Sequence, residues 1–124
     1  MELKDCKVLI CDDSILARKQ LKDVLIEEGC GLFFEATNGQ MAIDLYKKEN
    51  PDIVFLDIVM PKVDGIEAVK AIKAYDNDAC IIMVSSVGTQ NLIKASIEEG
   101  ANDFIQKPFV AKQISTILKN RVEG

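Results

Sequence analysis

Five side chains able to do chemistry stand where apolar runs stop. Asp12 and Asp13 follow Val8-Leu-Ile-Cys11, Asp57 follows Ile53-Val-Phe-Leu56, Ser85 closes Ile81-Ile-Met-Val84, and Lys107 follows Phe104-Ile-Gln106. Carboxylates, a hydroxyl and an ammonium form a set suited to phosphoryl chemistry. A carboxylate oxygen held beside a divalent cation can attack a phosphoryl group and form an acyl phosphate. That reaction asks a protein for positioning and for charge compensation on the phosphoryl oxygens. Asp57 is the expected nucleophile, because the run that precedes it anchors it on a rigid buried strand. Ser85 can donate to one phosphoryl oxygen and Lys107 can pair with another. The aspartates would need cations of their own, since two unit charges about 5 Å apart repel by roughly 3 kcal/mol at an effective dielectric near 20. Lys107 supplies one positive charge, and a hard divalent ion supplies two more. Mg2+ suits the set best, because it takes a few carboxylates and keeps several waters; Mn2+ or Ca2+ would be its substitutes. A single aspartate in such a place ordinarily caps a helix or ends a strand at a solvated edge. Three on one edge, with a lysine, are poorly explained that way.

The chemistry therefore depends on elements that bring positions 12, 13, 57, 85 and 107 together. Short β-branched runs alternate with stretches of helical spacing. Strands are predicted at Cys6–Asp12, Leu32–Ala36, Asp52–Asp57, Cys80–Ser85 and Asp103–Gln106. The near-continuous apolar run of the first implies burial on both faces, as in a parallel sheet. The third is the most apolar and belongs near the centre. The first helix is predicted from Ser14 to Glu28, with Ala17, Leu21, Val24 and Leu25 on one stripe and Gly29 as its stop. A second begins at Asn38, carries Ala42, Leu45 and Tyr46, and ends before Asn50-Pro51. Ile66, Val69 and Ile72 mark a third. Thr89 caps a fourth bearing Leu92, Ile93, Ser96 and Ile97, closed by Gly100, and Val110, Ile114, Ile117 and Leu118 stripe the last. Five βα units imply a parallel sheet with helices on both faces. In such a sheet the four strand ends share one edge, and ligands sit beyond it where the strand order reverses.

Composition removes the main competitors. With 124 residues the chain suits one domain, residues 1–124, and 48% apolar with 28% charged residues is an ordinary globular balance. No apolar run approaches the roughly 18 residues needed to cross a bilayer. The start, Met1-Glu-Leu-Lys-Asp5, lacks the pattern of a secretory signal, so a cytoplasmic location and no membrane partner are expected. Fifteen basic residues against twenty acidic ones leave a net charge of −5, which argues against direct nucleic-acid binding. There is no histidine, which excludes a Ser-His-Asp or Cys-His nucleophile and any His-ligated metal. Cys6, Cys11, Cys30 and Cys80 form no Cys-x-x-Cys pair and read as small, reduced core residues.

In this order and spacing five pieces resemble the receiver domain of bacterial two-component response regulators. They are Val8-Leu-Ile-Cys-Asp12-Asp13, Pro51-Asp-Ile-Val-Phe-Leu-Asp57, Met60-Pro-Lys-Val-Asp-Gly65, Met83-Val-Ser-Ser86 and Gly100-Ala-Asn-Asp-Phe-Ile-Gln-Lys107-Pro108-Phe109. Each alone is weak; together they are highly specific and cover essentially the whole chain. The resemblance implies an α/β, CheY-like (flavodoxin-like) fold whose five-stranded parallel sheet has the order 2-1-3-4-5 and is flanked by five helices. It implies that Asp57 is phosphorylated by a sensor histidine kinase. It implies that Asp12, Asp13, Asp57 and the backbone carbonyl of Val59 hold Mg2+. Ser85 and Phe104 match the switch pair, Lys107 matches the phosphoryl-contacting lysine, and the Lys107–Pro108 bond is expected to be cis. The downstream protein target would meet the face formed by the fourth helix, fifth strand and fifth helix. Val59 and Val87 occupy modulating positions that family members often fill with polar residues. Neither can hydrogen-bond an attacking water, so slow self-dephosphorylation, with help from an external phosphatase, is expected.

Rival readings fare worse. A haloacid-dehalogenase-type phosphatase also uses an aspartate nucleophile with Mg2+, but it needs a second acid two residues on, where Val59 stands. A flavodoxin would cradle phosphate in a Ser/Thr/Gly-rich loop after the first strand, and Asp12-Asp13-Ser14 would repel it. Within the receiver reading, a single-domain regulator and the front domain of a longer one with a DNA-binding or enzymatic output both remain open. The stretch Ser85-Ser-Val-Gly-Thr-Gln90 leans toward the chemotaxis type.

Overall fold

A computed structural model describes residues 2–86 and 89–123. A 3-10 turn at Leu3–Asp5, which the sequence pattern did not announce, leads into β1 (Lys7–Cys11) and α1 (Ile15–Glu28). There follow β2 (Leu32–Ala36), α2 (Gly39–Glu49), β3 (Ile53–Leu56), α3 (Gly65–Tyr75), β4 (Ile81–Ser85), α4 (Gln90–Glu98), β5 (Asp103–Gln106) and α5 (Ala111–Glu123). The strands form one parallel sheet in the order β2-β1-β3-β4-β5, as expected, with β3 central and buried along its whole length. None of the described helices is long and apolar enough to cross a membrane.

The period of two along each strand divides the core between the sheet's faces. Leu9, Cys11, Val54, Leu56, Ile81 and Met83 pack on one face with Ala42, Tyr46, Val69 and Ile72 of α2 and α3. Val8, Ile10, Ile53, Phe55, Ile82 and Val84 pack on the other with Leu21, Leu25, Ile114 and Leu118 of α1 and α5. All four cysteines are free, three of them buried and Cys80 half-buried, as small core residues should be. Burial pushes the Cys6 thiol up to about 11 and the Cys11 thiol up to about 12.

Helix ends follow their local chemistry. Ser14, Asn38 and Thr89 each accept a hydrogen bond from the backbone N–H three residues on, and Asp64 does the same for α3. Gly29 ends α1 in the left-handed region at φ 113°.

Two stripe positions differ from expectation. Val110 is not on α5 but just before it, and it is 61% exposed. There its N–H donates to Gln113 Oε1 at 3.1 Å while its carbonyl accepts from Gln113 N–H. The helix thus begins with half of a capping box, and Val110 is its boundary rather than its buried face. On α4 the buried position is Ser96, whose hydroxyl donates to Leu92 O at 2.8 Å. The Leu92–Ser96 row faces the core. Ile97 lies about 100° further round the helix and is exposed.

Candidate functional site

The site is fixed by the last rung of each ladder. Asp12 N–H donates to Ala36 O, Asp57 N–H to Cys11 O and Lys107 N–H to Ser85 O, at 3.1, 3.0 and 2.9 Å. Each of these residues lies one position beyond its strand, yet its backbone is still held by a neighbouring strand. Because all five strands run the same way, these ends share one edge. Between β1 and β3 the strand order reverses, which is where a parallel α/β sheet opens a crevice.

The side chains meet there. Asp12, Asp13 and Asp57 each place a carboxylate oxygen within 4.8 Å of the other two. Lys107 Nζ lies 2.5 Å from Asp12 Oδ2 and 3.5 Å from Asp57 Oδ2. Asp12 and Asp57 are buried, whereas Asp13 faces solvent. The remaining oxygen of each buried carboxylate is pinned by backbone: Ser14 N–H donates to Asp12 Oδ1 at 2.9 Å and Ile58 N–H to Asp57 Oδ1 at 2.7 Å. Oδ2 of Asp57 is therefore the oxygen turned toward the cleft's cation.

One ammonium cannot balance three carboxylates. Burial alone would lower the Lys107 amine, but its hydrogen bond to Asp12 and the charges of Asp57 and Asp12 outweigh burial and raise it above the ordinary lysine range. Lys107 therefore stays charged, and two negative charges are left over. The donors are hard oxygens, two sheltered and one open to water, which fits an oxygen-seeking divalent ion. The adjacent sulfur is unavailable to a softer metal: the Cys11 thiol is buried, protonated at neutral pH and donating to Asn38 O at 3.3 Å.

The structure places the other predicted residues as follows. Ser85 ends β4 at the same edge and is buried. Phe104 is half-buried on β5 and packs against the α2/α3 side of the core. Val59, two residues past Asp57, is 59% exposed. The Lys107–Pro108 bond is cis, as expected. Val87 lies outside the described residues.

Two residues escaped the sequence reading. Gly65 opens α3 against Asp57: its N–H donates to Ile58 O at 2.8 Å, and a Cβ there would overlap the Asp57 carbonyl. Its signal was present in the Met60–Gly65 piece but was not tied to Asp57. Arg18, on α1, donates through Nη1 to Asp12 O at 2.8 Å. A cation in the first turn of a helix runs against the helix dipole and was a signal that went unread.

The comparisons agree with this geometry. The family model of the response regulator receiver domain matches residues 8–119. The chemotaxis protein CheY of Bacillus subtilis (strain 168) is 44% identical over 108 residues, covering 87% of this chain and 90% of that protein. Sporulation initiation phosphotransferase F of the same organism is 38% identical over 113 residues, covering 91% and 90%. A chain in the crystal structure of the CheX–CheY–BeF3–Mg2+ complex from Borrelia burgdorferi superposes with a TM-score of 0.85 at 39% identity, covering 94% of this chain and 86% of that one.

Proposed function

The chain belongs to the response regulator receiver domain family, and we propose that it works, as one unit over residues 1–124, as a switch that takes a phosphoryl group onto Asp57. The observation that carries this reading is the meeting of Asp12, Asp13 and Asp57 within 4.8 Å, opposite the Lys107 ammonium, at the reversal point of the sheet.

Asp57 Oδ2 attacks phosphorus as Oδ1 stays fixed by the Ile58 N–H. The P–N bond of a kinase phosphohistidine breaks, and the imidazole leaves with its electron pair; with acetyl phosphate a P–O bond breaks and acetate leaves. Asp12, Asp13, Asp57 and the carbonyl of Val59 would hold Mg2+, which supplies charge compensation for the phosphoryl oxygens when bound. Lys107 exchanges its contact with Asp57 for one with a phosphoryl oxygen. The Ser85 hydroxyl donates to another, and Phe104 follows it inward. The new group brings nearly two negative charges and strong acceptors. It biases two pre-existing arrangements of the α4, β5 and α5 face, where a protein target binds.

The likeness to CheY proteins supports a chemotaxis role, with a sensor histidine kinase as donor in the cytoplasm. The Mg2+ of the CheX–CheY–BeF3–Mg2+ complex from Borrelia burgdorferi supports the choice of ion. Val59 offers no hydrogen bond to an attacking water, and Val87 would offer none either. The phosphorylated form therefore decays slowly and relies on a phosphatase.

Incubation with acetyl phosphate and Mg2+ tests the reading by intact mass. The wild type should gain about 80 Da, one phosphoryl group, and Asp57→Asn should gain nothing. An equal gain in the variant would move the acceptor elsewhere.

A further inference from the structure

Arg18 stands apart from the residues assigned to the phosphoryl site, and its contacts are specific. Its side chain is 11% exposed. Nη1 donates to Asp12 O at 2.8 Å, and Nε donates to Glu35 Oε1 at 3.0 Å on the neighbouring edge strand. Glu35 is held in turn by Lys22 at 3.5 Å, and that ammonium lies 5.5 Å over the Phe33 ring. Among the described residues, the ion-pair partner of Arg18 is therefore Glu35 and not a site carboxylate. A guanidinium in the first turn of α1 opposes the helix dipole. Its nearness to three aspartates also subtracts from the negative charge a cation would meet. Both effects weigh against an arginine at this position unless the contact with Asp12 matters.

That contact fixes the Asp12 carbonyl, which the site itself does not use. Ser14 N–H holds Oδ1, Lys107 holds Oδ2, the Ala36 carbonyl holds the amide, and Arg18 holds the carbonyl. The Asp12 carbonyl belongs to the peptide plane that leads into Asp13, the exposed carboxylate of the cluster. We propose that Arg18 is a positioning residue for the cation site: through Glu35 it braces the Asp12–Asp13 peptide, so that both carboxylates face Asp57 at binding geometry. It touches neither cation nor phosphoryl group. Groups that orient metal ligands in this way typically change affinity by about 10–100-fold when removed. This inference rests on the cation-binding part of the reading above.

Two accounts of Arg18 predict opposite signs, which makes the test sharp. If Arg18 acts only by its charge, replacing it with a neutral residue strengthens Mg2+ binding. If it braces the peptide, the same replacement weakens binding. Mg2+ titrations by calorimetry on wild type, Arg18→Gln and Arg18→Lys should be paired with melting temperatures taken without Mg2+. Weakening of about tenfold or more in Arg18→Gln is expected. A smaller loss is expected in Arg18→Lys, which keeps the charge but not the two-armed donor. Unchanged or tighter binding in Arg18→Gln overturns the proposal, and so does a lowered melting temperature with wild-type affinity. Should Arg18→Gln fail to fold, Arg18→Lys decides alone: weakened binding supports bracing and wild-type affinity refutes it. If the wild type itself binds no Mg2+, the cation reading of the site fails, a result distinct from failure of the Arg18 proposal.

Discussion

Lys107 is both the counter-charge of the site and a competitor for it. Its ammonium occupies Asp12 Oδ2 and leans on Asp57 Oδ2. Shortening it in Lys107→Ala should leave two buried carboxylates underpaired and so raise Mg2+ affinity several-fold in a calorimetric titration. The same variant should accept or hold a phosphoryl group less well, because a donor to its oxygens is gone. The amine's own titration has a definite sign. Burial lowers it, but the Asp12 hydrogen bond and the nearby carboxylate charges prevail, so its folded value lies above its unfolded one. Its contribution to stability is then complete below the unfolded value and is lost as pH rises through the folded one. An NMR titration of the labelled lysine should show Lys107 deprotonating above the ordinary lysine range, and earlier in Asp12→Asn. The thiols invite a simpler check. Burial raises Cys6 to about 11 and Cys11 to about 12, so at neutral pH neither is a thiolate. Iodoacetamide on the native protein should leave both unmodified by peptide mass mapping.

Strands and helices were legible to different degrees, for identifiable reasons. β3 read as central because Ile53-Val-Phe-Leu56 has no polar position, and the sheet buries all four. The helix starts at Ser14, Asn38 and Thr89 were legible because each of these residues satisfies its helix from within a few residues. The acidic trio was legible because parallel strands place like ends together. What escaped depends on contacts distant in sequence or on one residue's rotation about a helix axis. Val110 carries the right side chain for the α5 stripe, but the Gln113 side chain starts the helix one residue later. Arg18 gave no hint of Glu35, seventeen residues on. Gly65 was legible only as the end of the Met60–Gly65 piece, because its contact with the Asp57 carbonyl is a matter of the fold. At this scale the folding account predicts that Leu118→Ala, which empties a buried site under α5, costs about 2–5 kcal/mol in chemical denaturation. Gly65→Ala should disturb the Asp57 backbone and slow phosphorylation more than Leu118→Ala does, because its Cβ meets the Asp57 carbonyl itself.

As a whole molecule the protein sets one sheet between two packed layers of helices and gathers Asp12, Asp13, Asp57 and Lys107 at a single edge. A cation that binds the folded site and not the unfolded chain must stabilise the fold. Mg2+ at a hundred times its dissociation constant should add about 2.7 kcal/mol, and chelation should remove the gain. Within the edge cluster, the proposed switch requires that Asp57 become an acyl phosphate only when the cluster holds its cation. The most direct measurement treats the protein with acetyl phosphate, with Mg2+ or with EDTA, reduces any acyl phosphate with borohydride, and locates the resulting homoserine by peptide sequencing. The account predicts homoserine at position 57 alone, formed with Mg2+ and absent with EDTA. Homoserine at another aspartate, or equal labelling without the metal, would contradict it.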